Sequence, residues 1–144
     1  MNVPGLRSPY DTIGGIVYFG RMLDKIRLHG ERKLPADYHD HLGKGFDLRC
    51  CNFLRVQYDR VVAREKLGGT EEDILAWCFE QGRKPSEEEV ETWNDFMRKR
   101  GWRDSGNERL RQRLKESGFD HRTDIQTMFD YLDADEGRPP RATG

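Results

Sequence analysis

The second half of this chain is punctuated as a run of short helices, and that punctuation constrains the fold more than any other feature. Thr70-Glu71-Glu72-Asp73 reads as a capping box with Asp at the third helical position. Ile74, Leu75, Cys78 and Phe79 then form a buried stripe that Gly82 ends. Ser86 with Glu89 is a full capping box, followed by Val90, Trp93 and Met97. Arg98, Lys99 and Arg100 suit the negative end of that helix, Gly101 suits the left-handed position after it, and Trp102 is placed to reach back to Met97. Ser105 with Glu108 opens a further helix in which Leu110 and Leu114 pack, and Gly118 closes it with Phe119 reaching back to Leu114. Ile125, Met128, Phe129 and Leu132 recur at i, i+3, i+4 and i+7 and predict a last helix over 123–134.

The first half is less regular. Pro4, Gly5, Pro9, Gly14 and Gly15 predict an irregular N-terminal arm over 1–15, pinned to the core by Leu6 and Ile13. Phe19, Met22, Leu23 and Ile26 predict a helix over 16–31, with Val17 and Leu28 on its opposite side, so Asp24 falls between two apolar faces. A polar loop over 33–45 follows, broken by Pro35, Gly43 and Gly45, then a short helix capped by Asp47 and another over 58–67. No window alternates with period two. The fold class read from this pattern is all-α, a compact single-domain array of about six or seven short helices. The domain spans 1–144, with its core at about 6–135 and with 1–5 and 136–144 flexible.

Composition narrows the function classes. Charged residues make up 35% of the 144-residue chain, which leans toward disorder, but 10% aromatics and clear helical periodicity outweigh that. A net charge of -1 offers no global attraction to nucleic acid or membrane, and no apolar run is long enough to span a bilayer. Three Cys, two of them adjacent, do not make a disulfide framework, so the expected location is cytoplasmic and reducing. No cofactor is expected, and the spacing of His39, His41, Cys50, Cys51 and Cys78 predicts no metal.

The residues 21–51 break the helical pattern. They crowd Asp24, Lys25, Arg27, Asp37, Tyr38, His39, His41, Asp47 and Arg49 around glycines. Such a break is where function is sought. Asp24 has two readings: a catalytic acid beside Lys25 and Arg27, or a structural ion pair with Arg27 at i,i+3. Asp37 or His39 would complete the catalytic version. Lys44 between Gly43 and Gly45 reads as an anion cradle or as a glycine-rich turn; it lacks Walker spacing. Arg49 beside Cys50 would favour a thiolate nucleophile only if a base lay near. Residues 98–115 carry eight Lys or Arg with Trp102 among them, a composition that suits nucleic acid. The competing reading is a solvated face matched internally by Asp120, Asp124, Asp130, Asp133, Asp135 and Glu136, which makes nucleic acid an unlikely partner.

Several segments together resemble a known bacterial family. LRSP at Leu6–Pro9, Gly14–Gly15, DKIR at Asp24–Arg27, KLPADYH at Lys33–His39, GKGFD at Gly43–Asp47 and DIQTMFDYLDADEGR at Asp124–Arg138 are similar to the family of domain of unknown function 5069. The resemblance covers nearly the whole chain. It implies one bacterial domain and assigns no activity, cofactor or catalytic residue.

Two functions follow. The first is a binding or interaction domain, with a homo-oligomer as one form. The alternative is a small enzyme acting on an anionic small molecule, with its site formed by 24–27 and 37–49. There Asp24, Asp37 and His39 are the catalytic candidates, and Lys25, Arg27, Lys44, Asp47 and Arg49 the ligand-binding ones.

Overall fold

A computed structural model describes residues 1–141. It is mostly helical, and it corrects the all-α expectation with a small antiparallel ribbon, β1 (Thr12–Ile13) and β2 (Ile16–Val17). Gly14 and Gly15 form the two-residue turn, both left-handed, a conformation that glycine takes without a Cβ penalty. Seven α-helices follow among the described residues: α1 (Phe19–Gly30), α2 (Phe46–Leu54), α3 (Tyr58–Lys66), α4 (Glu71–Gln81), α5 (Glu87–Lys99), α6 (Asn107–Glu116) and α7 (Met128–Asp135). The polar segment after α1 winds into a 3-10 helix, Ala36–His41.

The helix α1 is the centre of the molecule. Nine of its residues are buried, including Arg21, Asp24 and Lys25. It starts at Phe19 rather than at residue 16, because Ile16 and Val17 pair in the ribbon and Tyr18 turns the chain in a left-handed conformation. Val17, Phe19, Met22, Leu54, Val61, Met97 and Phe129 are wholly buried in the main core. The N-terminal arm is irregular but not loose. Val3 and Leu6 pack with Leu28 and Leu34 in a second apolar cluster, so the expected flexibility of 1–5 does not hold at Val3.

The capping boxes at Thr70/Asp73 and Ser86/Glu89 form as read. The ending at Gly118 also forms: Phe119 N–H donates to the Leu114 carbonyl and Gly118 N–H to that of Lys115. The ending at Gly101 is different. Arg100 leaves the helix at φ −56, ψ 127, and Trp102 N–H donates to the Lys99 carbonyl. That is a tight type II turn, and Trp102 points to solvent instead of back to Met97. Nor does Ser105 cap α6; Asp104 accepts from the Gly106 and Gly101 N–H groups. The last helix begins at Met128, five residues later than the spacing predicts, because Thr127 and Asp130 close a capping box of their own. The α6–α7 seam is apolar, built from Leu110, Ile125, Tyr131, Leu114 and Met128, while Phe129 belongs to the main core.

The chain beyond α7 is the largest correction. Glu136, expected in a flexible tail, is 3% exposed. Gly137 turns the chain left-handed, and Arg138 N–H donates to the Asp133 carbonyl. Of the expected flexible tail, 142–144 lie outside the described residues. No helix is long and apolar enough to cross a membrane among the described residues.

Candidate functional site

The charged residues that α1 carries are buried in three separate arrangements. Asp24 faces the N-terminal arm. It accepts from the Arg7 guanidinium at 2.8 and 2.9 Å, from the Arg7 backbone N–H at 2.9 Å and from Arg27 at 3.0 Å. Arg7 also reaches Glu71 at the start of α4. Every acceptor position of Asp24 is thus taken by a group that ties the arm to α1.

Lys25 faces α2. Its ammonium lies 2.7 Å from Asp47 Oδ1 and donates to the Tyr18 hydroxyl at 2.9 Å, and that hydroxyl donates to the same Asp47 oxygen at 2.7 Å. Asp47 Oδ2 accepts from the Gly43 N–H. Burial pushes the Lys25 ammonium below its ordinary value, with Asp47 opposing. Burial and the Asp47 charge push the Tyr18 phenol well up.

Arg21 faces the C-terminal segment. It forms a bidentate pair with Glu136 at 2.8 and 2.6 Å and donates to the Arg7 carbonyl. Glu136 also accepts from Tyr38 and Arg138. Burial alone would raise the Glu136 carboxyl; Arg21, Arg138 and Tyr38 hold it below its ordinary value. Arg21 Nε is the one buried side-chain polar atom without a partner among the described residues.

The remaining sequence candidates stand apart from these groups. Asp37, His39, His41 and Lys44 are exposed. His39 Nε2 lies 2.9 Å from the Leu34 carbonyl, and its ring packs edge-on against His29 at 4.8 Å. Neither Asp37 nor His39 shares a hydrogen bond with Asp24 or Asp47 among the described residues. The segments 24–27 and 37–49 are neighbours through Lys25–Asp47.

The thiols are not poised for chemistry. Cys50, Cys51 and Cys78 are buried and free. Burial raises Cys50 well above its ordinary value and pushes Cys51 and Cys78 up to about 12. A protonated, buried thiol is a weak nucleophile. In the folded protein at pH 8, none of the three should react with a disulfide reagent over the time in which unfolded chain reacts fully. One fast equivalent from folded protein would contradict the assignment. A raised thiol also stabilises the fold below pH 9, a contribution lost as pH climbs from 9 toward 12.

Concave space opens elsewhere, in a groove of about 580 Å³ between α2 and α5. Its floor is Phe53 stacked on Trp93, with centroids 4.7 Å apart and planes 9° from parallel. Trp93 Nε1 donates to the Val17 carbonyl, and Asn94 bonds Val17 N–H and the Gly15 carbonyl, so the ribbon fixes the position of α5. Gly82 brings the end of α4 against α2; a Cβ there would lie 1.9 Å from the Leu54 carbonyl oxygen. Arg83 is thereby anchored. Its Nε donates to the Phe53 carbonyl, its guanidinium covers the Phe53 ring at 5.0 Å, and its Nη1 pairs with Glu89. The Ser86 N–H and Arg83 hold the Glu89 carboxyl down to about 2.

Arg49 forms the opposite wall. Its guanidinium lies 5.2 Å from the centroid of Phe96, and it has no carboxylate partner among the described residues. Phe96 itself is 40% exposed. Thus one ligand-binding candidate, Arg49, lines the groove, and the others do not. The aromatic residues form no pattern along the sequence, because Phe53 belongs to α2 and Trp93 and Phe96 to α5. Their only sequence signal is that Phe96 falls off the buried stripe of α5.

The Arg49 wall suits a flat group carrying a negative charge, while Glu88 and the Arg83-paired Glu89 stand along α5 in the same groove. An arginine stacked on a ring leaves its N–H edge free for carboxylate or phosphate. Among its lining residues there is no thiol, imidazole or amine.

Comparison with curated proteins gives no match. One family model spans residues 3–138, nearly the whole described chain, including the arm, the 3-10 helix and the Glu136–Arg138 turn. The chain belongs to the family described as domain of unknown function, DUF5069.

Proposed function

We propose that this chain is a non-catalytic binding domain that takes a planar anionic ligand in the α2–α5 groove. The observation that carries the reading is Arg49: a cation stacked on Phe96, without an acid partner among the described residues, at the wall of an aromatic groove. The neighbouring Arg83 is already paired with Glu89, which leaves Arg49 as the unpaired cation of the groove among the described residues. The enzyme alternative draws little support from the geometry. Asp24 is committed to Arg7 and Arg27, Asp47 to Lys25 and Tyr18, and the exposed Asp37 and His39 join neither.

Binding of benzoate and phenyl phosphate, followed by calorimetry and by tryptophan fluorescence, tests this. A charge-assisted contact contributes roughly 1.5–3 kcal/mol. Arg49→Ala should therefore weaken binding by about tenfold or more. Phe96→Ala should weaken it as well, with the thermal midpoint nearly unchanged because both side chains are exposed. Saturable binding that neither variant alters, or none by the unaltered protein, would contradict the proposal.

A further inference from the structure

The basic stretch at 98–115 does not find the internal partners expected of it. Asp124 pairs with Arg122; Asp130 caps α7 and accepts from Tyr10. Asp133 is held by Ser8 and Arg138, and Glu136 by Arg21, Arg138 and Tyr38. Asp130, Asp133 and Glu136 thus face the arm and α1, away from α6, while Asp120 lies at the edge of α6 without an ion-pair partner among the described residues. Arg98, Lys99, Arg103, Arg109, Arg111 and Lys115 are exposed and have no carboxylate within ion-pair distance among the described residues. Arg100 alone in this stretch is paired, with Asp104. The chain is nearly neutral as a whole, yet this surface is strongly positive.

A second groove, of about 680 Å³, runs along it. Leu110, Leu114 and Ile125 line it, Arg111 and Lys115 stand at i,i+4 along α6, Trp102 flanks it, and Asp120 is its one carboxylate. Arg111 Nε donates to Asn107 Oδ1, and Asn107 Nδ2 to the Gly101 carbonyl, which ties the helix to the turn that presents Trp102. Trp102 is 44% exposed, and the Arg103 guanidinium lies 5.0 Å from its ring centroid. A large aromatic turned outward beside unpaired cations is not explained by packing. It matches what a single strand requires, a stacking face for a base beside cations for consecutive phosphates.

We propose that the surface formed by Trp102 and α6 binds single-stranded nucleic acid, with a base on the Trp102 ring and the backbone along Arg111 and Lys115. This goes beyond the α2–α5 groove and stands independently of it. It also replaces the expectation of internal neutralisation, since Asp124, Asp130, Asp133 and Glu136 are committed elsewhere and Asp120 alone of those acids lines the surface. The exposed bases of a single strand can reach Trp102, whereas the bases of a duplex are stacked away from it. Readout of sequence is not implied, because stacking accepts any base.

The test is fluorescence anisotropy of the full chain with a labelled oligothymidylate of about twelve nucleotides, within the usual span of one binding module. With three or four phosphates neutralised, log K against log salt should fall with a slope of about −2 to −3. Trp102→Ala should weaken binding by about tenfold with the slope unchanged, since it removes stacking and no charge. Arg111→Ala with Lys115→Ala should make the slope shallower by about 1.4. Circular dichroism melts should show these exposed substitutions leave the fold intact. Absence of saturable binding at low salt would overturn the proposal. So would binding that Trp102→Ala leaves unchanged while polyglutamate displaces the strand at equal charge; that result would assign the surface to an acidic protein segment.

Discussion

Glu136→Ala should destabilise the protein by about 3–5 kcal/mol, the range for removing one partner of a buried ion pair. The cause is Arg21. Its side chain is 2% exposed, and the Glu136 carboxylate, at 2.6 Å, is its only acidic partner among the described residues. Removing that carboxylate leaves a guanidinium charge inside the core and strips acceptors from Tyr38 and Arg138. Replacing both members, Arg21→Met with Glu136→Leu, should recover most of the loss, because a buried pair contributes little over an apolar filling. The pH dependence carries a sign. Glu136 is depressed in the folded state, so its contribution is complete above the unfolded value of about 4.3 and fades as pH falls through the folded value. The gap between unaltered and Glu136→Ala protein should narrow in acid. Urea denaturation at neutral and acid pH measures it; a change within about 0.5 kcal/mol would mean that the C-terminal segment is loose after all.

Asp47→Ala should cost a similar amount, about 3–5 kcal/mol. It leaves the Lys25 ammonium with the Tyr18 hydroxyl alone and removes the acceptor of the Gly43 N–H. Here the alkaline side is diagnostic. Lys25 is depressed in the fold by burial, and without Asp47 the depression deepens. Between the folded value and the unfolded value of about 10.4, the unfolded chain binds more protons, so stability attributable to Lys25 rises with pH. Removing Asp47 also lessens the upward shifts of Tyr18, Cys50 and Cys51, so the alkaline loss from these groups is smaller in the variant and acts in the same direction. The deficit of Asp47→Ala relative to unaltered protein should therefore shrink as pH rises toward 10. A deficit that is constant with pH would show Lys25 to be hydrated rather than buried.

Legibility followed the range of the interaction. The starts of α4 and α5 and the end of α6 were readable because each is closed by residues three to five positions apart. The Thr127–Asp130 box was equally local, but Ile125 prolonged the apolar period across it and hid the true start of α7. The β1–β2 ribbon had a Gly-Gly turn as its signal, yet its strands are too short to show alternation. The end of α2 had no glycine to mark it, since Arg55 takes the left-handed position, and past α1 that position falls on Arg32, two residues after Gly30. Burial of Asp24 was readable from the two apolar faces of α1. Its partner Arg7, seventeen positions away, was not, nor was the Arg21–Glu136 pair, 115 positions apart. Pairing at such separation depends on the packed fold and leaves no local pattern. The groove behaves likewise: Arg49 was visible as a cation, but its aromatic setting arises only when α5 docks on the ribbon.

The polar stretch of 21–47 ties the fold together through buried pairs, and the proposed ligand site lies apart from it, between α2 and α5. Backbone-amide NMR of the full chain, titrated with phenyl phosphate, tests this separation most directly. Shift changes that saturate and concentrate at Arg49, Asn52, Phe53, Trp93 and Phe96 are the result predicted. Changes concentrated at Asp37, His39 and Lys44, with the α2–α5 groove silent, would contradict it.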